Sequence, residues 1–277
     1  MKENFKKLQD RKFITLISDW GEKDYYAGAV KGRIYSLIPY VTVVDISHYI
    51  NPFDITHAGY VLKNSFENFP EGTIHLIGVE TEEFAIRDVI RSHLLVKFKG
   101  HYFIGADNGI FSIITDGEDV EQIVELTIPF AEINGKFKYL FSVRDRFAYV
   151  AAHIANGGKP DEIGNQIDEF KKIIQLKPTY TNELIKGVVI HVDNYENVIV
   201  NITEKLFYEL LKDRKFKIIF RNYEIDKISK QYCDVGEQQI SALFNSSGFL
   251  EIAMNKGNAS SLIGLRINDT VIVEFFD

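Results

Sequence analysis

The sequence predicts an α/β N-terminal domain with a mostly parallel central sheet, followed by a smaller all-β, barrel-like C-terminal domain. Two observations carry this. From Phe13 to about Phe170, apolar strand-like runs alternate with amphipathic helical patterns, the mark of a parallel sheet with helical crossovers. After Gly157 the runs become short and strand-rich, interrupted by one helical pattern. The expected domains are residues 1–175 and 184–277, with a linker over Lys171–Leu184 that holds Lys177-Pro178-Thr179.

The elements follow in order. Phe13–Ile17 is an apolar run of buried-strand type, and Tyr25–Ile38 is an amphipathic helix. Val41–Ile46 is a second buried strand. Asp54–Phe69 carries Ile55, Ala58, Val61 and Leu62 at helical spacing. Thr73–Val79, His93–Phe98, Tyr102–Gly105 and Val120–Leu126 read as strands, and Arg144–Ala155 as a helix. In the second domain, strands are expected over Gly187–Val192, Asn197–Ile202, Phe216–Ile225, Phe249–Met254 and Thr270–Phe276, with a helix over Glu204–Leu211. There is no internal repeat and no low-complexity segment.

Composition narrows the function classes. A chain of 277 residues exceeds one typical domain and can bury a sizeable core. Its 45% hydrophobic and 26% charged residues suit a soluble globular protein. A net charge of −7 argues against a nucleic-acid or anionic-membrane partner. Cys233 is the one cysteine, which excludes an intrachain disulfide and, beside few histidines, speaks against a structural zinc site. Met1–Lys12 is polar and lacks the apolar core of a signal peptide. No run approaches the roughly 18 apolar residues of a membrane span, so a cytoplasmic protein is expected.

The loops after the strands are polar and specific. The first strand ends in Ser18-Asp19-Trp20-Gly21, at the carboxyl edge where open α/β sheets bind ligands. There Asp19 suits two roles: an N-cap for the next helix, or an acceptor of two hydrogen bonds from a ribose diol. Val44-Asp45-Ile46-Ser47-His48 follows the second strand, and Pro52-Phe53-Asp54 ends it and caps the next helix. His48 suits a base or, more commonly, a structural hydrogen-bond partner. Asp107-Asn108-Gly109 reads as a turn.

Together these segments resemble the S-adenosyl-L-methionine hydroxide adenosyltransferase family, the relatives of fluorinase and chlorinase, of which this chain looks like a divergent member. The carrying pieces run from Phe13 to Phe276. They are Ser18-Asp19-Trp20-Gly21 with Lys31-Gly32, Val44–His48 with Pro52-Phe53-Asp54, Phe69-Pro70-Glu71-Gly72-Thr73, Asp107-Asn108-Gly109, and Arg144-Asp145-x-Phe147 with Ala151-Ala152-His153. In the second domain they are Asp193-x-Tyr195-x-Asn197 with Asn201, and Asn245-Ser246-Ser247-Gly248-x-Leu250-Glu251-Ile252-Ala253 with Asn255. Each piece alone is weak; their order and spacing are specific.

The resemblance implies a homotrimer whose sites lie between one subunit's N-terminal domain and its neighbour's C-terminal domain. It implies a small adenosyl ligand and neither metal nor cofactor. By position Asp19 would hold the ribose hydroxyls and Phe53 would pack beside the nucleoside. Tyr195 and Tyr232 would flank the adenine, and Asn197 would bond its edge. Asn108, Asp193, Asn245, Ser246 and Glu251 complete the implied ligand set. Without the resemblance, Phe53, Tyr195 and Tyr232 read as core packing and Asn245-Ser246 as a turn.

The implied reaction is displacement at ribose C5′ of S-adenosylmethionine: water attacks and methionine leaves as a neutral thioether. The sulfonium is already a good leaving group, so the protein need only align the water, exclude bulk solvent and favour the deprotonated nucleophile with a nearby cation. The family uses an aspartate, an arginine and a histidine. Here Val79-Glu80-Thr81-Glu82-Glu83-Phe84-Ala85-Ile86-Arg87 replaces the glycine-rich loop, with Glu80 at the aspartate position and Arg87 at the arginine position. Ser142 stands at the histidine position. Two readings follow: an S-adenosylmethionine hydrolase using Glu80, Arg87 and Ser142, or a catalytically degenerate protein that binds adenosine or S-adenosylmethionine. A third reading gives the altered loop another nucleophile, halide included, or another adenosyl compound. The bland reading of Glu80 and Arg87 is a surface ion pair.

Overall fold

The structure, a computed structural model, describes residues 12–277 except 83, 87–88, 129–131, 134–135 and 138–139. The chain divides into two compact units, Met1–Ile173 and Ile174–Asp277.

In the first unit, β1 (Lys12–Ser18), α1 (Tyr26–Leu37), β2 (Val41–Ser47), α2 (Ile55–Lys63) and β3 (Ile74–Gly78) form the expected alternation. A small hairpin of β4 (Phe84–Ile86) and β5 (Val89–Arg91) then precedes β6 (His93–Phe98) and β7 (His101–Ala106). After α3 (Ile110–Thr115) and β8 (Gln122–Leu126) come a short ladder of β9 (Glu132–Ile133) and β10 (Lys136–Phe137), then α4 (Ala148–Ala155) and β11 (Gly164–Gln166). The seven-stranded sheet has the order β11-β8-β6-β7-β3-β1-β2. β2, β1, β3 and β7 pair in parallel, while β6 and β11 run against their neighbours, so five of seven strands share one direction.

Alternate residues along each strand face opposite layers. Leu16 and Leu76 join the core under α1 and α4; Ile17 and Ile77 join the core under α2 and α3. Thr15, His75 and Phe103 lie side by side across β1, β3 and β7 on the second of these faces. Thr15 Oγ1 is 2.7 Å from His75 Nδ1, and His75 Nε2 is 3.2 Å from His101 Nδ1. Phe66 meets both imidazoles edge-on.

Two helices of the first unit differ from the sequence expectation. The helix from Asp54 stops at Lys63, because Asn64 Nδ2 and Ser65 Oγ bond back to the carbonyls of Tyr60 and Leu62 and compete with the helix ladder. A 3₁₀ turn, Phe66–Asn68, then buries Phe66. The helix over Arg144–Ala155 begins as a π-turn, Val143–Phe147.

The second unit is an antiparallel barrel. β12 (Thr179–Tyr180), β13 (Leu184–Val192) and β14 (Val198–Thr203) lead to α5 (Glu204–Leu211), then β15 (Lys215–Phe220), β16 (Tyr223–Ile225), β17 (Ile240–Phe244), β18 (Phe249–Met254), α6 (Ala259–Ile263) and β19 (Thr270–Phe276). The run Phe216–Ile225 is two strands, because Arg221 at φ 52° turns the chain between the paired Phe220 and Tyr223. The sheet order is β16-β15-β19-β13-β14-β18-β17. A bridge from Ile228 to Ala242 brings the chain leaving β16 alongside β17 and nearly closes the barrel. Thr203 caps α5 through Leu206 N–H, and Phe207 plugs the interior against Phe216, Phe244 and Phe275. Among the described residues, no helix is long and apolar enough to cross a membrane.

His75 gives a stability prediction. Burial first, then neighbouring His101, lowers its pKa to about 3, so the folded state holds it neutral while the unfolded chain protonates it near 6.5. The unfolded state then binds more protons between those limits, so this contribution is fully present above pH 6.5 and is lost as pH falls toward 3. Denaturant midpoints measured from pH 7 to 4 should fall, and His75→Gln should show a shallower pH slope.

Candidate functional site

The parallel register builds an edge. Ile17 pairs with Ser47 and Ser18 with Gly78, and β7 ends beside β3. The chain segments leaving β1, β2, β3 and β7 therefore emerge at the same end of the sheet, and antiparallel β6 begins there with His93 opposite Ala106. Asp19, His48, Glu80, Asn108 and His93 are brought to this edge.

The turn after β1 is latched to the loop after β2. Gly21 N–H donates to His48 O at 2.7 Å, Ile50 N–H to Ser18 O at 3.3 Å, and Ser18 Oγ lies 2.6 Å from His48 Nδ1. Ser18 and His48 are both buried, and His48 Nε2 sits 3.2 Å from Asp45 Oδ1, off the line of a hydrogen bond. Asp45 in turn accepts from Lys31 Nζ at 2.5 Å. His48 is thus a structural partner of Ser18. Asp19 is half-buried and accepts the Phe53 N–H at 2.9 Å through Oδ2. Desolvation raises its pKa, against the lowering effect of that backbone bond. Phe53 holds φ 63°, a left-handed conformation that costs a non-glycine residue roughly 1–2 kcal/mol, and the residue is 68% exposed.

An aromatic wall stands next to Asp19. Trp20 stacks on His48, meets Phe141 edge-on at 5.3 Å between centroids and lies 6.3 Å from Tyr26. Arg144 covers Phe141 and forms two 2.6 Å bonds to buried Asp145. Gly78 makes this wall possible: a Cβ there would stand 2.5 Å from Trp20 Cζ2.

The turn after β3 is tied down from several sides. Asn108 Nδ2 donates to Val79 O at 3.2 Å and Glu80 O at 3.3 Å, and its Oδ1 accepts from Ile110 N–H. Both ends of this buried amide serve the backbone. Gly109 follows at φ 107°, where a Cβ would also strike Ile173. Ser142 is buried too, and its hydroxyl donates to Thr81 O at 3.0 Å. Glu80 has φ 48°, and its carboxylate pairs with Arg91 at 2.8 Å; Glu82 is 4.0 Å from the same guanidinium. Arg87, the arginine expected beside Glu80, lies outside the described residues.

The second unit carries a separate cluster. Asp193 Oδ1 accepts the N–H groups of Tyr195 and Asn197, and its Oδ2 accepts from Asn197 Nδ2 at 3.0 Å. Asn245 closes the β17–β18 turn through Ser247 and Phe249 N–H. Tyr232 donates its hydroxyl to Glu251 at 2.9 Å. Burial and that bond push the Tyr232 pKa up to about 12, and desolvation raises that of Glu251, which is 3% exposed. Tyr195 is 74% exposed and Ser246 is exposed. Among the described residues, no cluster of three or more His, Cys, Asp or Glu side chains is placed to hold a metal ion.

Sequence reasoning missed four participants. Trp20 and Phe141 follow no motif that marks them as a wall. Arg91 and His93 reach the Glu80-Thr81 turn only because a hairpin folds them back onto it.

A half-buried carboxylate between backbone amides and an aromatic wall, at the carboxyl edge of parallel strands, places the first unit among α/β proteins that hold small polar ligands there. The chain belongs to the SAM hydroxide adenosyltransferase family: its N-terminal domain profile matches residues 14–164 and its C-terminal domain profile residues 187–272. A (R)-S-adenosyl-L-methionine hydrolase of Methanocaldococcus jannaschii is 31% identical, over 93% of this chain and 94% of that one. One of Thermus thermophilus is 26% identical, over 91% and 96%. A crystal structure of an uncharacterized conserved protein from Thermotoga maritima superposes with a TM-score of 0.82 at 30% identity, covering 95% of this chain and 98% of that one.

The sole tryptophan reports on the wall. Gly78→Ala should displace Trp20, shift its fluorescence emission, and destabilise the protein by about 1–3 kcal/mol, the usual cost of overpacking. Emission spectra and urea unfolding check both.

Proposed function

We propose that this chain hydrolyses S-adenosyl-L-methionine to adenosine and L-methionine. A water oxygen bonds to ribose C5′, the C5′–S bond breaks with its electron pair passing to sulfur, and the water's proton is released. The observation that carries this reading is the edge itself: the Asp19 carboxylate and the Glu80–Arg91 ion pair lie at the ends of neighbouring parallel strands. The names of the two hydrolase relatives support it.

In this reading Asp19 receives the ribose hydroxyls and Phe53 lines the nucleoside. Tyr195 and Tyr232 flank the adenine with Asn197 at its edge, and Asp193, Asn245, Ser246 and Glu251 complete that pocket. Glu80 orients the water and a guanidinium favours its deprotonated form. Arg91 is the cation seen on Glu80, so it enters the reading beside Arg87. Ser142 and Asn108 act by holding the turn. A cytoplasmic homotrimer belongs to the same reading, and light scattering checks the assembly.

A binding-only reading is favoured by one observation: the Ser142 hydroxyl donates its one proton to Thr81 O, which leaves it no donor for a ligand or a water. Turnover decides. Purified protein with S-adenosylmethionine should release adenosine and methionine in equal amounts by chromatography with mass spectrometry. Glu80→Gln and Arg91→Ala should each lower kcat by about 10²-fold or more. Arg87→Ala run in parallel identifies the activating cation. No release from the wild type, with calorimetric binding retained, establishes the binding reading.

Asp19→Ala should weaken adenosine binding by about 10- to 100-fold, the loss of charge-assisted bonds worth about 1.5–3 kcal/mol. Because burial raises the Asp19 pKa, wild-type affinity should fall with acidification from a pH above the usual aspartate range. Asp19→Asn should lack that dependence in calorimetric titrations.

A further inference from the structure

His93 opens β6 at the site edge and is completely buried, with Phe147 edge-on to its ring at 4.7 Å between centroids. Its Nδ1 lies 3.1 Å from an Arg146 guanidinium nitrogen, and its Nε2 lies 2.8 Å from Thr81 O. A guanidinium only donates, so Nδ1 is the acceptor and the ring proton resides on Nε2, aimed at Thr81 O. Arg146 is itself fixed by Leu126 O at 2.5 Å. Thr81 O therefore accepts two bonds, one from a buried imidazole in β6 and one from the Ser142 hydroxyl at the π-turn. A carbonyl has two lone pairs, and both are used. The residue before it, Glu80, stands at φ 48° with its carboxylate on Arg91. A strained conformation of this kind persists only where its surroundings over-determine it.

We propose that His93 is a positioning residue for the proposed hydrolysis: by donating to Thr81 O it locks the turn that aims the Glu80 carboxylate. The inference rests on the reading given above for the Glu80–Arg91 pair. His93 reaches no ligand, being buried, and acts through Thr81.

The test compares His93→Leu, which cannot donate, with His93→Gln, whose amide supplies a donor toward Thr81 O and an acceptor toward Arg146. For each, kcat, KM, adenosine affinity, melting temperature and hydrogen–deuterium exchange of residues 79–92 are measured. His93→Leu should lower kcat by about tenfold or more, as small misplacements of catalytic groups do, while adenosine affinity stays within about twofold of wild type. His93→Gln should recover most of the rate. Exchange over residues 79–92 should quicken in the leucine variant alone. Unchanged kcat in folded His93→Leu, equal losses in both variants, or affinity falling together with kcat would overturn the proposal. If the wild type releases no product, the hydrolase reading fails; exchange then decides this inference, and equal protection in wild type and His93→Leu overturns it. Should His93→Leu not fold, His93→Asn, whose shorter amide falls short of Thr81 O, is read by the same measurements.

Discussion

The pairing of β1 between β2 and β3 is the constraint on which the first unit's site depends. Ser18 opposite Gly78 and Ile17 opposite Ser47 release three chain segments at neighbouring-strand spacing, about 4.8 Å. Asp19 then stands one strand away from Val79-Glu80, and the loop bearing His48 lies on its other side. A register slip would move Ser18 off His48 and Gly78 from under Trp20, so the buried alternation that fixes the register also fixes the site. The turn at Asp19 is held by backbone bonds from Gly21, Ile50 and Phe53 and by the Ser18–His48 contact. None of these needs a ligand, so the carboxylate is oriented in advance, which lowers the ordering cost of binding.

Much of this was legible in the sequence because strand alternation and turn chemistry are local signals. The four apolar runs that became β1, β2, β3 and β6 fall within a residue or two of their expected bounds, and the helix Glu204–Leu211 is as expected. What failed was also local. Asn64 and Ser65 ended a helix that the apolar spacing would have continued, and Arg221 at positive φ broke one long strand into a hairpin. Motif spacing names Asp19 and Asn197 as candidates, and the structure finds the first at the strand edge and the second on Asp193. The contact of Arg91 with Glu80 is not legible in that way, since an antiparallel hairpin brings its far end back to its start, while Arg87, at the arginine position of the pattern, lies outside the described residues. Spacing along the chain carries no information about such a return.

Strain gathers at the same edge. Phe53 and Glu80 both occupy left-handed conformations without being glycine. Phe53 is held there by its N–H on Asp19. Glu80 is held by Asn108 on its own carbonyl and by two donors on the carbonyl of Thr81. The buried polar groups around the turn are consumed in this work, which is why Asn108 and Ser142 present so little of themselves to solvent.

That arrangement bears on how the turn is held without the glycines of the family pattern. A glycine-rich loop reaches unusual φ values freely and sets its shape by backbone geometry alone. Here side chains impose the shape instead, with Asn108, His93 and Ser142 as fixed donors, and the β4–β5 hairpin brings Arg91 onto Glu80. The proposed displacement demands little more. Its leaving group departs as a neutral thioether, so no general acid is needed, and the protein's contribution reduces to placing one water and one positive charge. A guanidinium held by Glu80 at 2.8 Å and only 15% exposed keeps that charge in place where solvent screens it weakly. On this reasoning the departure from the family pattern changes the means by which the turn is held, while the chemical requirement at the ribose carbon stays within reach of the residues present.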